Sequence, residues 1–119
     1  PMMEGDSRPE TWCHYFQRAD LARQRGDWEQ VARLGDAAFA LDDSPNHASE
    51  RVPFIEGYAH VGRWDRAEAL SAEALEINKF MAPMLCDAWE RIESSTEPTP
   101  ERDRRLEHIY QELACDTYD

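Results

Sequence analysis

Two stretches of this chain repeat each other. GDWEQVARLGDAAFALDD occupies residues 26–43 and GRWDRAEALSAEALEIN occupies 62–78. Gly26 and Gly62 stand 36 positions apart, as do Trp28 and Trp64, Leu34 and Leu70, Ala38 and Ala74, and Leu41 and Ile77. The same offset pairs Val31 with Ala67 and Gly35 with Ser71. The matched positions recur at three and four, so they share one face of a helix, while the outward positions differ freely. A period in the thirties with two helices per unit is the mark of a helical solenoid, whose units bury their apolar faces only by stacking.

The rest of the chain fits that plan. A first helix is expected from near Pro9, with Trp12, Tyr15, Phe16, Ala19 and Ala22 at helical spacing. Gly26 closes it, since glycine accepts positive φ. Asp27 caps a second helix carrying Trp28, Val31, Leu34, Ala38 and Leu41. The turn formers of DDSPNHAS, residues 42–49, follow. Ser49 is expected to cap a third helix, roughly 49–61, with Pro53 in its first turn and Phe54, Ile55, Tyr58 and Val61 on its apolar side. A fourth helix, roughly 64–77, presents Trp64, Ala67, Leu70, Ala74 and Ile77. After a break at Asn78 and Lys79, a fifth spans about 81–93 with Met84, Leu85, Ala88, Trp89 and Ile92. SSTEPTP, 94–100, reads as a linker. Thr99 and Pro100 are cap and first position of a sixth helix with Leu106, Ile109, Tyr110 and Leu113 on one stripe. The expected organisation is all-α: a flexible start over 1–8, units at about 9–42 and 49–78, a partial third unit at 81–93, and a C-terminal capping helix over 101–116. In each unit the glycine permits the turn, the tryptophan wedges between the paired helices and the alanine lets a neighbour approach.

Charge narrows the function. The chain holds 13 basic and 25 acidic residues, for a net charge of −12. Nucleic acids and bare anionic membranes attract clustered Lys and Arg, so neither is an expected partner. A basic or neutral partner suits the balance, and the acid also serves solubility. The single lysine, Lys79, against twelve arginines reads first as base-composition bias. No run of about 18 apolar residues exists to span a membrane. PMMEGDSRPE lacks a signal layout, and its opening on Pro1 looks like a cut from a longer chain.

The chemistry-bearing residues form no recognised constellation. Cys13, Cys86 and Cys115 are odd in number, far apart and all in predicted helices, so buried reduced thiols are expected. Cys13 and His14 point about 100° apart on a helix and cannot easily share a metal. His47, His60 and His108 make no metal spacing with each other. There is no phosphate-cradling glycine loop and no nucleophile with an oxyanion-hole cluster. No cofactor, metal or catalytic residue is therefore expected. The tryptophans read as core, with Trp12 the most exposed of the four.

The Gly-x-Trp and Ala-Leu/Phe elements resemble the tetratricopeptide repeat family over about residues 12–93. Two features depart from it. Asp43 and Lys79 stand where the family places proline, and Ala22 replaces an aromatic that the second unit keeps as Tyr58. TWCHYFQRADLARQRGDW and ALDDSPNHASERVPFIEGYAHVGRWDRA also look like the soluble tail of some bacterial glycosyltransferase-like integral membrane proteins. The first resemblance implies a right-handed stack of antiparallel helix pairs and a protein–protein interaction or scaffolding role. A partner peptide, or a second copy of the chain, would lie in a groove lined by the first helix of each unit. Its lining would be Cys13, Phe16, Asp20, Arg23 and Gln24, then Ser49, Val52, Glu56, Ala59 and His60. The competing reading fills that groove with the sixth helix. The second resemblance implies an accessory or oligomerisation domain of a larger chain, membrane-associated through it, and carries over no catalytic residue. A stand-alone protein would be cytoplasmic.

Overall fold

The computed structural model describes residues 12–41 and 48–118. The described residues form six α-helices: α1 (Trp12–Gln24), α2 (Trp28–Phe39), α3 (Val52–His60), α4 (Trp64–Ile77), α5 (Ala82–Ser95) and α6 (Pro100–Leu113). Short 3-10 turns at Ala48–Arg51, Lys79–Met81 and Cys115–Tyr118 complete the element order, and there is no strand among these residues. The expected start near Pro9 and the turn over 42–47 lie outside the described residues.

The repeat is visible in the backbone. Gly26 and Gly62 take φ of 73° and 85°. In each unit the residue after the glycine returns its N–H to a carbonyl five positions back. Asp27 donates to Ala22 at 2.9 Å, and Arg63 donates to Tyr58 at 2.8 Å. That bond closes a helix whose last carbonyls would otherwise lack donors. Asp27 also caps α2, accepting from the Gln30 N–H. Thr99 caps α6 in the same way through Arg102, with Pro100 at the first position. Ser49 does not cap α3. It falls inside the 3-10 turn, and α3 begins after Arg51 with no side-chain cap bond and Pro53 in its first turn.

The helices stack in two layers. α1, α3 and α5 lie side by side, and α2 and α4 back them from the other side. Within the first layer, Trp12 at the start of α1 reaches Glu50 just before α3, and His60 at the end of α3 touches Ser95 at the end of α5. The three helices therefore run parallel. α6 joins the second layer as the partner of α5 and reaches α4 through Arg105, instead of lying across the first layer. Buried Arg102 anchors it by donating to the carbonyls of Glu93 and Thr96, the last of which would be unsatisfied at the end of α5.

Burial follows the predicted stripes with four corrections. Trp12 is not the exposed tryptophan: it is 3% exposed, its ring packs 5.1 Å from Phe39 and 5.5 Å from Phe54, and its Nε1 donates to Glu50 at 2.8 Å. Trp28 and Trp64 are only half-buried, because each stands at a helix start beside its turn glycine. Ile77 and Met84, expected on core stripes, face solvent. The cysteines are not three reduced thiols. Cys86 and Cys115 form a disulfide, and among the described residues only Cys13 is free. The reason is the end of α6. Ala114 takes a left-handed conformation (φ 54°), which reverses the chain and carries Cys115 back onto α5.

Candidate functional site

The residues expected along the first layer fall into three groups. Phe16 joins the aromatic core, its ring 6.4 Å from Trp12 and 6.5 Å from Phe54. Asp20, Arg23 and Gln24 form a local cluster near the end of α1. Asp20 accepts from Arg23 Nη2 at 2.9 Å and from Gln24 Nε2 at 3.2 Å. The α3 residues belong to the seam with α5. Val52, Glu56 and Ala59 are buried, while Ser49 is exposed and Cys13 half-buried.

α3 is buried because both of its layer neighbours close on it. Glu56 is 4% exposed and receives Arg91 of α5 through Nη2 at 3.1 Å and Nε at 3.4 Å. The bond to Glu56 holds the Arg91 guanidinium above its ordinary range. A fork of this kind neutralises a carboxylate that burial alone would penalise. The middle helix therefore offers little surface of its own.

His60 terminates that seam. Its ring stacks on Trp28 with centroids 4.0 Å apart and planes 10° apart. Its Nδ1 lies 2.8 Å from the Glu56 carbonyl and its Nε2 lies 2.9 Å from Ser95 Oγ. A carbonyl only accepts, so Nδ1 carries a proton. His60 thus ties the α1–α2 turn, α3 and α5 together, and one edge of the ring stays accessible near Gly62, Trp64 and Thr96.

The open surface of the first layer is on α5, where the sequence reading placed no site residue. Phe80 is 81% exposed and Met84 45% exposed. Asp87 and Arg91 continue the series on the solvent side. Spacings of four, three and four put all four on one helical stripe, because the 3-10 turn containing Phe80 runs directly into α5. Glu90 lies beside the stripe, also exposed. Arg91 is held by Glu56 and lies within the field of Asp87, so the exposed carboxylates Asp87 and Glu90 leave the edge of the stripe acidic. The stripe can hold an apolar side chain at its Phe80 end and a cation at the other. A signal for it existed in the sequence: Phe80 precedes Met84 by one helical turn and stands outside the Leu85–Ala88–Trp89–Ile92 face.

Among the described residues no group of three or more His, Cys, Asp or Glu side chains is placed to hold a metal ion. No described helix is long and apolar enough to cross a membrane. Compared with known proteins, the chain matches no family model, no curated protein and no solved structure.

Proposed function

We propose that this chain is a non-catalytic interaction module of the tetratricopeptide type, which holds a partner peptide along the α1/α3/α5 layer. The observation that carries the reading is the α5 stripe. A phenylalanine left 81% exposed, one turn from an exposed methionine and followed by Asp87, is the composition of a binding surface and costs solubility without a partner. Support also comes from the shared 36-residue offset and from the identical turn hydrogen bonds at Asp27 and Arg63. The peptide would place an apolar side chain on Phe80 and Met84 and a basic residue by Asp87 and Glu90. Asp20, Arg23, Gln24 and His60 would meet its far end, at the rim formed by the ends of α1 and α3.

Selection from a displayed peptide library tests this. Enriched peptides should carry an aromatic or aliphatic residue followed by Lys or Arg. Their affinity should fall about tenfold or more for Phe80→Ala, the size of a modest hot spot. Peptides that bind Phe80→Ala as well as the unaltered chain would exclude the α5 stripe. The same exposed stripe supports a second reading, an oligomerisation domain appended to a larger bacterial membrane protein. Sedimentation showing dimers that Phe80→Ala dissolves would favour it.

A further inference from the structure

On the opposite layer, α4 and α6 are fastened by Arg105 and line a common cleft beyond it. Arg105 bridges to Asp65 at 2.9 Å and also binds Glu68, near the start of α4. Toward their C-terminal ends both helices line one cleft. Just beyond α6, Ala114 reverses the chain and Cys115 is bonded to Cys86 on α5. The cleft measures about 360 Å³ and lies between Ser71, Leu75 and Glu76 of α4 and Ile109, Glu112 and Leu113 of α6. Leu75, Ile109 and Leu113 supply its apolar lining, and Ser71 is held in place by accepting from the buried Trp89 indole N–H at 3.1 Å.

The charges at its mouth are placed against stability. Glu76 and Glu112 stand in the last turns of α4 and α6, and neither last turn holds a basic residue. The C-terminal end of a helix carries partial negative charge and is stabilised by cations, not carboxylates. Glu68 is already neutralised by Arg105, while Glu112 has His108 3.5 Å away, which pairs with it when protonated. Glu76 has no ion-pair partner among the described residues. Two carboxylates and two helix C-termini thus converge over an apolar lining.

We infer that this cleft is a second docking site, distinct from the α5 stripe, which takes a cationic amphipathic segment of a partner protein. An apolar side chain of that segment lies on Leu75, Ile109 and Leu113. A Lys or Arg one turn along meets Glu76, Glu112 and the two helix ends. Charge complementarity chooses this occupant, since a neutral or acidic segment would leave the converging negative ends unrelieved.

The test uses the full chain and a fluorescent helix of about five turns built from leucine and lysine, beside a leucine–glutamine helix of equal length. The lysine probe should bind and the glutamine probe should not. Glu76→Gln with Glu112→Gln should weaken the lysine probe about five- to tenfold, the effect of two exposed ion pairs. Glu29→Gln with Glu107→Gln, an equal loss of charge elsewhere on the surface, should change it less than about twofold. Phe80→Ala should leave it unchanged, which separates this site from the α5 stripe. Equal weakening by both double variants would reduce the effect to general attraction by an acidic chain and overturn the inference. So would undiminished binding to the Glu76/Glu112 variant, or sedimentation showing the cleft filled by a second copy. Melting curves for each variant establish that the fold is intact.

Discussion

Gly35 on α2 lies so close to Tyr58 on α3 that a Cβ added to it would stand 2.7 Å from the Tyr58 hydroxyl oxygen and 2.9 Å from a Phe54 ring carbon. Both rings are fully buried, so neither can swing aside. Alanine is normally the better helix residue by about 1 kcal/mol. Overpacking a rigid core costs about 1–3 kcal/mol and outweighs that gain. Gly35→Ala should therefore destabilise the chain by up to about 2 kcal/mol in urea unfolding. A stabilising result would mean that α2 and α3 do not approach this closely.

The next unit uses the same position differently. Ser71, 36 residues on, accepts the indole N–H of Trp89, which is fully buried. Ser71→Ala removes the oxygen that accepts from that donor and should cost about 1–3 kcal/mol, the penalty for an orphaned buried polar group. Trp89→Ala should cost about 3–5 kcal/mol. Trp64→Ala should cost distinctly less, because Trp64 is half-buried at a helix start. The order of the two tryptophan variants in chemical unfolding is the check, and its reversal would contradict the burial pattern.

These positions show what was legible in the sequence. The 36-residue offset located α2 and α4, and the turn glycines and the Asp27 and Thr99 caps behaved as local chemistry requires. Local signals failed where a distant element decides. Trp12 looked exposed because it stands early in α1, but Phe39, Glu50 and Phe54 close over it from later in the chain. Met84 follows apolar periodicity but lies just outside the α5 face that α3 and α6 cover. Glu56 looked like a groove carboxylate, and only the Arg91 contact across 35 residues shows it as part of a seam.

The Cys86–Cys115 pair was the least legible feature, because no spacing rule links cysteines 29 positions apart across a helix reversal. A crosslink closing a loop of that size stabilises by about 3–4 kcal/mol in the chain-entropy account. Urea unfolding with and without a dithiol reductant should differ by about that amount. Thiol titration of the denatured, unreduced chain should find one reactive cysteine, Cys13, and reduction should raise the count to three. Three reactive thiols before reduction would show that the bond does not form.

Tyr58 also sets a limit at high pH. Burial first, and then the hydrogen bond to Asp36 at 2.9 Å, push its hydroxyl up from 10.0 to about 12. The folded form therefore keeps a proton that the unfolded chain gives up above pH 10. This contribution is complete below pH 10 and is lost as pH rises toward 12, about 2–3 kcal/mol for a shift of that size. Asp36 acts in the opposite sense. The hydrogen bond from Arg63 holds its carboxyl below 3.8, so its stabilisation is present above that pH and falls away as acid protonates the folded form. Tyr58→Phe should flatten the alkaline fall in stability between pH 10 and 12 and lessen the acid limb only in part, because Arg63 still holds the Asp36 carboxyl down after the Tyr58 hydroxyl is gone. Absorbance titration of the phenolates should show one tyrosine fewer ionising late. An alkaline limb unchanged by Tyr58→Phe would assign that loss to other groups and release Tyr58 from this role.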